Sequence, residues 1–201
     1  MSRLSGGFFT NTFKTMIEGE GFKEIILPSL EPAEIYKEKI GPEVLGQMYV
    51  FPDKKDRQLC LRPEGTATCQ LLARGPWQSQ KDVKIWYETR CWRYERPQAG
   101  RYREFTQLGL EVLNPRRDYR PDLLALLRAY LDVFGATLKY ELVPDVKRGL
   151  AYYVEDGFEA VCPELGAQKQ IAGGGRYKEG IGFAIGLDRL TLAIGPKVEV
   201  K

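Results

Sequence analysis

Apolar residues recur at helical spacing near the start of the chain. Phe9, Phe13, Met16 and Ile17 fall on one face of a helix predicted over residues 6–20 and ended by Gly21. FKEIILP (22–28) then reads as a strand stopped by Pro28. The stretch 49–65 predicts a short hairpin turning at residues 53–56, and TATCQLLAR (66–74) starts a helix with Thr66 as its N-cap. Over residues 92–111 the pattern becomes a strand, a Pro/Gly-containing loop and a second strand. Arg93 and Glu95 share a face of the first strand. On the return strand Phe105, Gln107, Gly109 and Glu111 share one face, while Leu108, Leu110 and Val112 point the other way into a core. Pro121 suits the first turn of the next helix, whose buried stripe is Leu123, Leu127, Tyr130, Leu131 and Phe134 and which Gly135 ends. TLKYELV, AYYVEDGFEAV, QKQIAGG and GFAIG read as strands, the last leading into a helix at LDRLTLAI. This order predicts an α+β chain: one domain over residues 1–201, with a largely antiparallel sheet flanked by helices.

Composition narrows the class. The chain has 201 residues, 43% hydrophobic and 28% charged, as expected of a soluble globular domain. No apolar run approaches the roughly 20 residues of a membrane span, and the first residues carry no secretory apolar segment. The four cysteines are widely spaced with no CxxC pair, which predicts reduced thiols and a cytoplasmic location. Histidine is absent. A His-based triad is therefore impossible, and any chemistry must rest on positioning and electrostatics, as adenylation and phosphoryl transfer do. The net charge is only +3, so the local density of arginine says more than the total.

That density peaks at residues 90–103, where Arg90, Arg93, Arg96, Arg101 and Arg103 alternate with Trp92, Tyr94 and Tyr102, and Phe105 follows. A guanidinium fork holds a phosphate bidentately and an aromatic face stacks on a base. The same spacing also describes a solvated hairpin with surface arginines. Arg189 lies in the first turn of a predicted helix. Free N–H groups there favour anions, so an arginine at that place calls for a shared anion.

The sequence WRYERPQAGRYREFTQLGLE (92–111) closely resembles motif 2 of class II aminoacyl-tRNA synthetases, in the form found in histidyl-tRNA synthetases. LRPEGTA (61–67), RGLAYY (148–153), AGGGRY (172–177) and GFAIGLDRL (182–190) resemble further signatures of that family, in the family's order. The helix and strand before Pro28 resemble motif 1, the dimerisation element. The resemblance covers nearly the whole chain. It implies a class II synthetase-like antiparallel sheet flanked by helices, ATP with accompanying Mg2+, an amino acid with histidine favoured, the tRNA acceptor stem, a homodimer and no membrane. No residue is assigned to a metal.

Residue by residue, it implies that Arg93 and Arg189 grip ATP phosphates, with Glu95, Arg101 and Phe105 around the triphosphate and adenine. Arg148 would lie by the reacting carboxylate and α-phosphate, which makes Arg93, Arg148 and Arg189 the catalytic set. Glu64 and Thr66 would hold the α-amino group, Gln107 and Glu111 would form the pocket floor, and Tyr152, Tyr153 and Tyr177 would surround the side chain. Gly173, Gly174 and Gly175 allow close backbone approach to a ligand, or form a plain turn. The chain departs from the family pattern at Ala151, Val154-Glu155 and Lys178, which are expected near the pocket wall. The histidyl enzymes usually carry an inserted domain between motif 2 and the RGLDYY segment, and an anticodon-binding domain after motif 3. Here one helix and one strand join Glu111 to Arg148 and the chain stops soon after Leu190, as expected of a bare catalytic core. Two alternatives stay open. One is a regulatory subunit of ATP phosphoribosyltransferase, the other a ligase that charges an acceptor other than tRNA.

Overall fold

The computed structural model describes residues 7–37, 42–147 and 153–195. Its frame is a seven-stranded sheet. In chain order its strands are β1 (Lys23–Glu24), β5 (Val83–Trp92), β6 (Glu104–Leu113), β7 (Glu141–Val146), β8 (Gly157–Val161), β9 (Gln170–Tyr177) and β10 (Gly180–Gly186). They are laid side by side as β1-β5-β6-β10-β9-β8-β7, with only the β1–β5 pair parallel. A smaller sheet of β2 (Leu30–Pro32), β4 (Gln58–Leu61) and β3 (Val50–Pro52) stands apart from it. Short helices α2 (Glu34–Lys37) and α3 (Pro42–Leu45) connect β2 to β3, and α4 (Thr66–Arg74) precedes β5.

One face of the large sheet is covered by α1 (Gly7–Ile17) and α5 (Arg120–Asp132). Phe9, Phe13 and Ile17 from α1 and Leu123, Leu127, Tyr130 and Leu131 from α5 meet Leu108, Leu110 and Val112 of β6 in one apolar core. The period-two reading of β6 therefore holds: its even-numbered apolar residues are sealed under helices, and its odd-numbered face is free for chemistry. The last helix, α6 (Leu187–Ile194), begins at the residue expected.

Several expectations are corrected. FKEIILP is not a full strand. Pairing with β5 covers Lys23 and Glu24, after which the backbone turns toward the small sheet and Ile26 is left 94% exposed. TLKYELV yields a strand only from Glu141, and the strand expected at 151–161 begins at Gly157, with Tyr153 making an isolated bridge to Tyr177. The glycines of AGGGRY are not a turn but the interior of β9. A Cβ on Gly174 would lie 2.3 Å from the Gly182 carbonyl oxygen and 2.6 Å from the Phe158 ring. Close sheet packing, not a bend, accounts for the glycine there.

Candidate functional site

A cavity of about 350 Å3 opens on the face of the sheet opposite α1 and α5. Its lining comes from β6, β9 and β10, the start of α6, the hairpin tip between β5 and β6, and the turn before α4. Of the residues singled out in the sequence, Glu64, Thr66, Arg93, Glu95, Arg101, Phe105, Gln107, Glu111, Tyr153, Tyr177 and Arg189 all line it. Arg148 and Tyr152 lie outside the described residues, as does Ala151.

At the cavity floor Glu111 is 1% exposed. Its carboxyl accepts hydrogen bonds from the Thr66 hydroxyl (2.8 Å), the Tyr177 hydroxyl (2.9 Å) and, longer, the Tyr87 hydroxyl (3.3 Å). Burial pushes the carboxyl up to about 8, more than the hydroxyl donors from Thr66 and Tyr177 lower it. Glycines make this packing possible. A Cβ on Gly109 would fall 2.2 Å from the Tyr87 ring, and one on Gly182 would fall 1.8 Å from Glu111 Oε2. Burial likewise raises Glu64, whose two oxygens accept the backbone N–H groups of Thr66 and Ala67 at 2.8 Å each. The expected Thr66 cap is thus corrected: Glu64 caps α4, and this leaves the Thr66 hydroxyl to reach Glu111.

The other end is cationic and aromatic. The Arg93 guanidinium lies 5.3 Å from the centre of the Phe105 ring, and its Nε donates to the Pro63 carbonyl at 2.9 Å. The hairpin tip is a tight turn in which Gln98 and Arg101 exchange backbone hydrogen bonds of 3.0 and 2.9 Å around Gly100, at φ 74°. Glu95 and Arg101 pair by charge across the hairpin. Arg189, the third residue of α6, reaches back to this tip. Nε donates to Gly100 O at 2.7 Å, and the terminal nitrogens donate to Gln170 O at 3.0 Å and Gln168 Oε1 at 3.1 Å. These three acceptors are neutral oxygens, and burial holds the guanidinium below its ordinary value. A guanidinium kept charged without a carboxylate in these bonds is ready to take an anion.

Two expectations about the wall fail. Lys178 is exposed in the turn between β9 and β10, and Val154 and Glu155 are exposed on the outer surface, where Glu155 faces Arg176 at 3.7 Å. None of the three lines the cavity. The sequence reading also missed a buried polar layer beneath it. Arg62, 1% exposed, donates to the Pro28 carbonyl, the Thr89 hydroxyl and, at 2.9 Å, the Arg90 carbonyl. Glu31, held up by burial, accepts from Tyr36 and Thr68 and lies 3.9 Å from Arg62. A buried guanidinium among strand ends fixes their relative positions, and Pro63, next in the chain, is the residue Arg93 bonds. Among the described residues no group of three or more Cys, Asp or Glu side chains is arranged to hold a metal ion.

Chemically the site joins an anion-binding end with a stacking ring to a buried carboxyl–hydroxyl floor, across one sheet face. Such a site suits a ligand with a phosphate and planar base at one end and a small hydrogen-bonding group at the other.

The sequence profile of the histidyl-tRNA synthetase family matches residues 9–139. A histidine–tRNA ligase of Oleidesulfovibrio alaskensis is 29% identical, covering 96% of this chain and 72% of the relative. That alignment runs over 299 positions, more than the 201 residues here, so the relative carries segments this chain lacks between the matched ends. A histidine–tRNA ligase of Natranaerobius thermophilus is 28% identical over 88% of this chain and 68% of the relative. Among solved structures, the apo histidyl-tRNA synthetase of S. aureus matches with a TM-score of 0.77 at 24% identity, covering 99% of this chain and 71% of that one. A Bacillus halodurans protein described as an ATP phosphoribosyltransferase regulatory subunit/histidyl-tRNA synthetase matches with a TM-score of 0.76 at 16% identity, over 94% of this chain and 79% of that one. The fold is that of the class II synthetases, and the chain belongs to the histidyl-tRNA synthetase family.

Proposed function

We propose that the chain activates an amino acid, histidine first, as its adenylate and passes it to the 3′ end of tRNA in the cytoplasm. The observation that carries this is the pairing, in one cavity, of Arg93 and Arg189 beside Phe105 with the buried Glu111–Thr66–Tyr177 floor. In this reading an amino-acid carboxylate oxygen attacks the α-phosphorus of ATP, an O–P bond forms and pyrophosphate leaves. Arg93 and Arg189 neutralise the charge that develops, and Arg148 adds to them. Phe105 stacks on the base, and Glu95 and Arg101 hold the nucleotide from the hairpin. Glu64, fixed by the Thr66 and Ala67 N–H groups, meets the α-amino group, with Thr66 beside it. Gln107 and Glu111 form the floor of the amino-acid pocket, and Tyr152, Tyr153 and Tyr177 surround the side chain. Mg2+ enters as part of the nucleotide, held through its phosphates.

Charging of total tRNA with labelled histidine tests the acceptor. Esterification of tRNA is expected, whereas exchange activity with no label on tRNA would point to a different acceptor. A binding subunit without ligase activity is the second reading, favoured by the likeness to the Bacillus halodurans protein. It requires that no amino acid support exchange of pyrophosphate into ATP.

We propose also that two copies pair through the segment between β1 and β2. Ile26 is 94% exposed, and Leu30, Val50 and Phe51 of the small sheet add apolar surface. Light scattering at micromolar concentration is expected to give a dimer mass, reduced to that of a monomer by Ile26→Asp. A wild-type monomer would contradict the pairing.

A further inference from the structure

Cys91 and Gln107 form a link between the buried layer and the cavity that neither residue suggests alone. They sit on neighbouring strands, where Thr89 is opposite Gln107 and Cys91 opposite Phe105, so the two side chains meet on a diagonal. Cys91 is fully buried, and its Sγ lies 3.2 Å from Gln107 Oε1. Gln107 lines the cavity.

A thiol can donate through S–H or accept through sulfur, so the surroundings decide which way the Gln107 amide faces. Two facts decide it. The thiol stays protonated, because burial pushes it up to about 12 even with the Arg62 and Arg93 guanidinium groups nearby. The acceptor within reach of the sulfur is Gln107 Oε1, at 3.2 Å. The S–H proton is therefore directed at the Gln107 carbonyl oxygen.

We propose that Cys91 is a positioning residue: its S–H holds the Gln107 carbonyl down against the floor and turns the Gln107 NH2 into the cavity, where it donates to a carboxylate oxygen of the bound amino acid. This rests on reading the cavity as an amino-acid site. It makes Gln107 a sensor of the acceptor group of the ligand rather than of its ammonium group. An inverted amide would present a carbonyl to the same oxygen and repel it.

The test compares histidine with histidinol, which lacks the carboxylate, by titration calorimetry on the full chain. One hydrogen bond to a well-placed acceptor corresponds to about fivefold in affinity. Cys91→Ala is expected to weaken histidine binding by about that factor and histidinol binding by less than twofold. Cys91→Ser, which keeps a donor, should restore most of the loss, and Cys91→Ala should add nothing in a Gln107→Ala background. Equal losses for both ligands, or no loss, would overturn the proposal. The infrared S–H stretch gives a readout independent of ligand. The Cys91 band, identified by its disappearance in Cys91→Ser, should move to higher frequency in Gln107→Ala, and an unmoved band would overturn the proposal. If wild-type protein binds no amino acid, the proposed function falls, and the S–H band alone decides whether Cys91 orients Gln107.

Discussion

Replacing Arg93 or Arg189 by alanine is expected to lower histidine-dependent exchange of pyrophosphate into ATP by on the order of a hundredfold or more, with the fold intact. The two side chains act at one end of the cavity but are held differently. Arg93 donates to the Pro63 carbonyl and lies against Phe105, so on the proposed function its loss should remove charge at the reacting phosphate and leave the hairpin in place. Arg189 also pins the hairpin tip through Gly100. Its loss should therefore raise the KM for ATP as well as lower kcat, whereas Arg93→Ala should act mostly on kcat. Both arginines line the cavity, where water can take their place at the Pro63 and Gly100 carbonyls, so thermal unfolding should change little. An equal and small effect of both variants on kcat/KM would show that the phosphate end lies elsewhere.

The second large effect is expected at Glu111. Glu111→Gln should cut kcat/KM for histidine by up to roughly tenfold, the upper end for one hydrogen bond of a neutral group. It should also remove a pH dependence of stability. The carboxyl titrates near 8 in the fold and at its ordinary value of 4.5 in the open chain. The folded state therefore holds the extra proton between these values. The stability tied to the neutral carboxyl is complete below about 4.5 and is lost as pH rises through about 8. Wild-type Tm is expected to fall from pH 6 to pH 9. Glutamine mimics the protonated carboxyl, donating to Tyr177 and accepting from Thr66, so the variant should lose less over the same range. Parallel Tm profiles would show that Glu111 is ionised in the fold.

Much of this was legible in the sequence because it is local. The alternation along β6 assigned Leu108, Leu110 and Val112 to the core and Phe105, Gln107 and Glu111 to the cavity, since one strand's pleat decides both. The start of α6 and the place of Arg189 followed from Gly186 and the apolar spacing after it. The layer of Glu31, Tyr36, Arg62, Thr68 and Thr89 was not legible. Its members come from separate elements and meet only when the small sheet, α4 and β5 are assembled, and no spacing in the chain marks that. The β9 glycines were left open between strand and turn for a related reason. Glycine signals a turn locally, but here it is required by the Phe158 ring and the β10 backbone across the sheet. Lys178 and Glu155 were expected at the wall because they adjoin wall residues in sequence, yet they sit on turns and face outward.

The central claim is that one cavity binds ATP and an amino acid for adenylate formation. Exchange of labelled pyrophosphate into ATP by the wild-type chain, with each of the twenty amino acids in turn, tests it most directly. The account predicts exchange that depends on added amino acid, strongest with histidine and lost in Arg93→Ala. No exchange with any of them would contradict it.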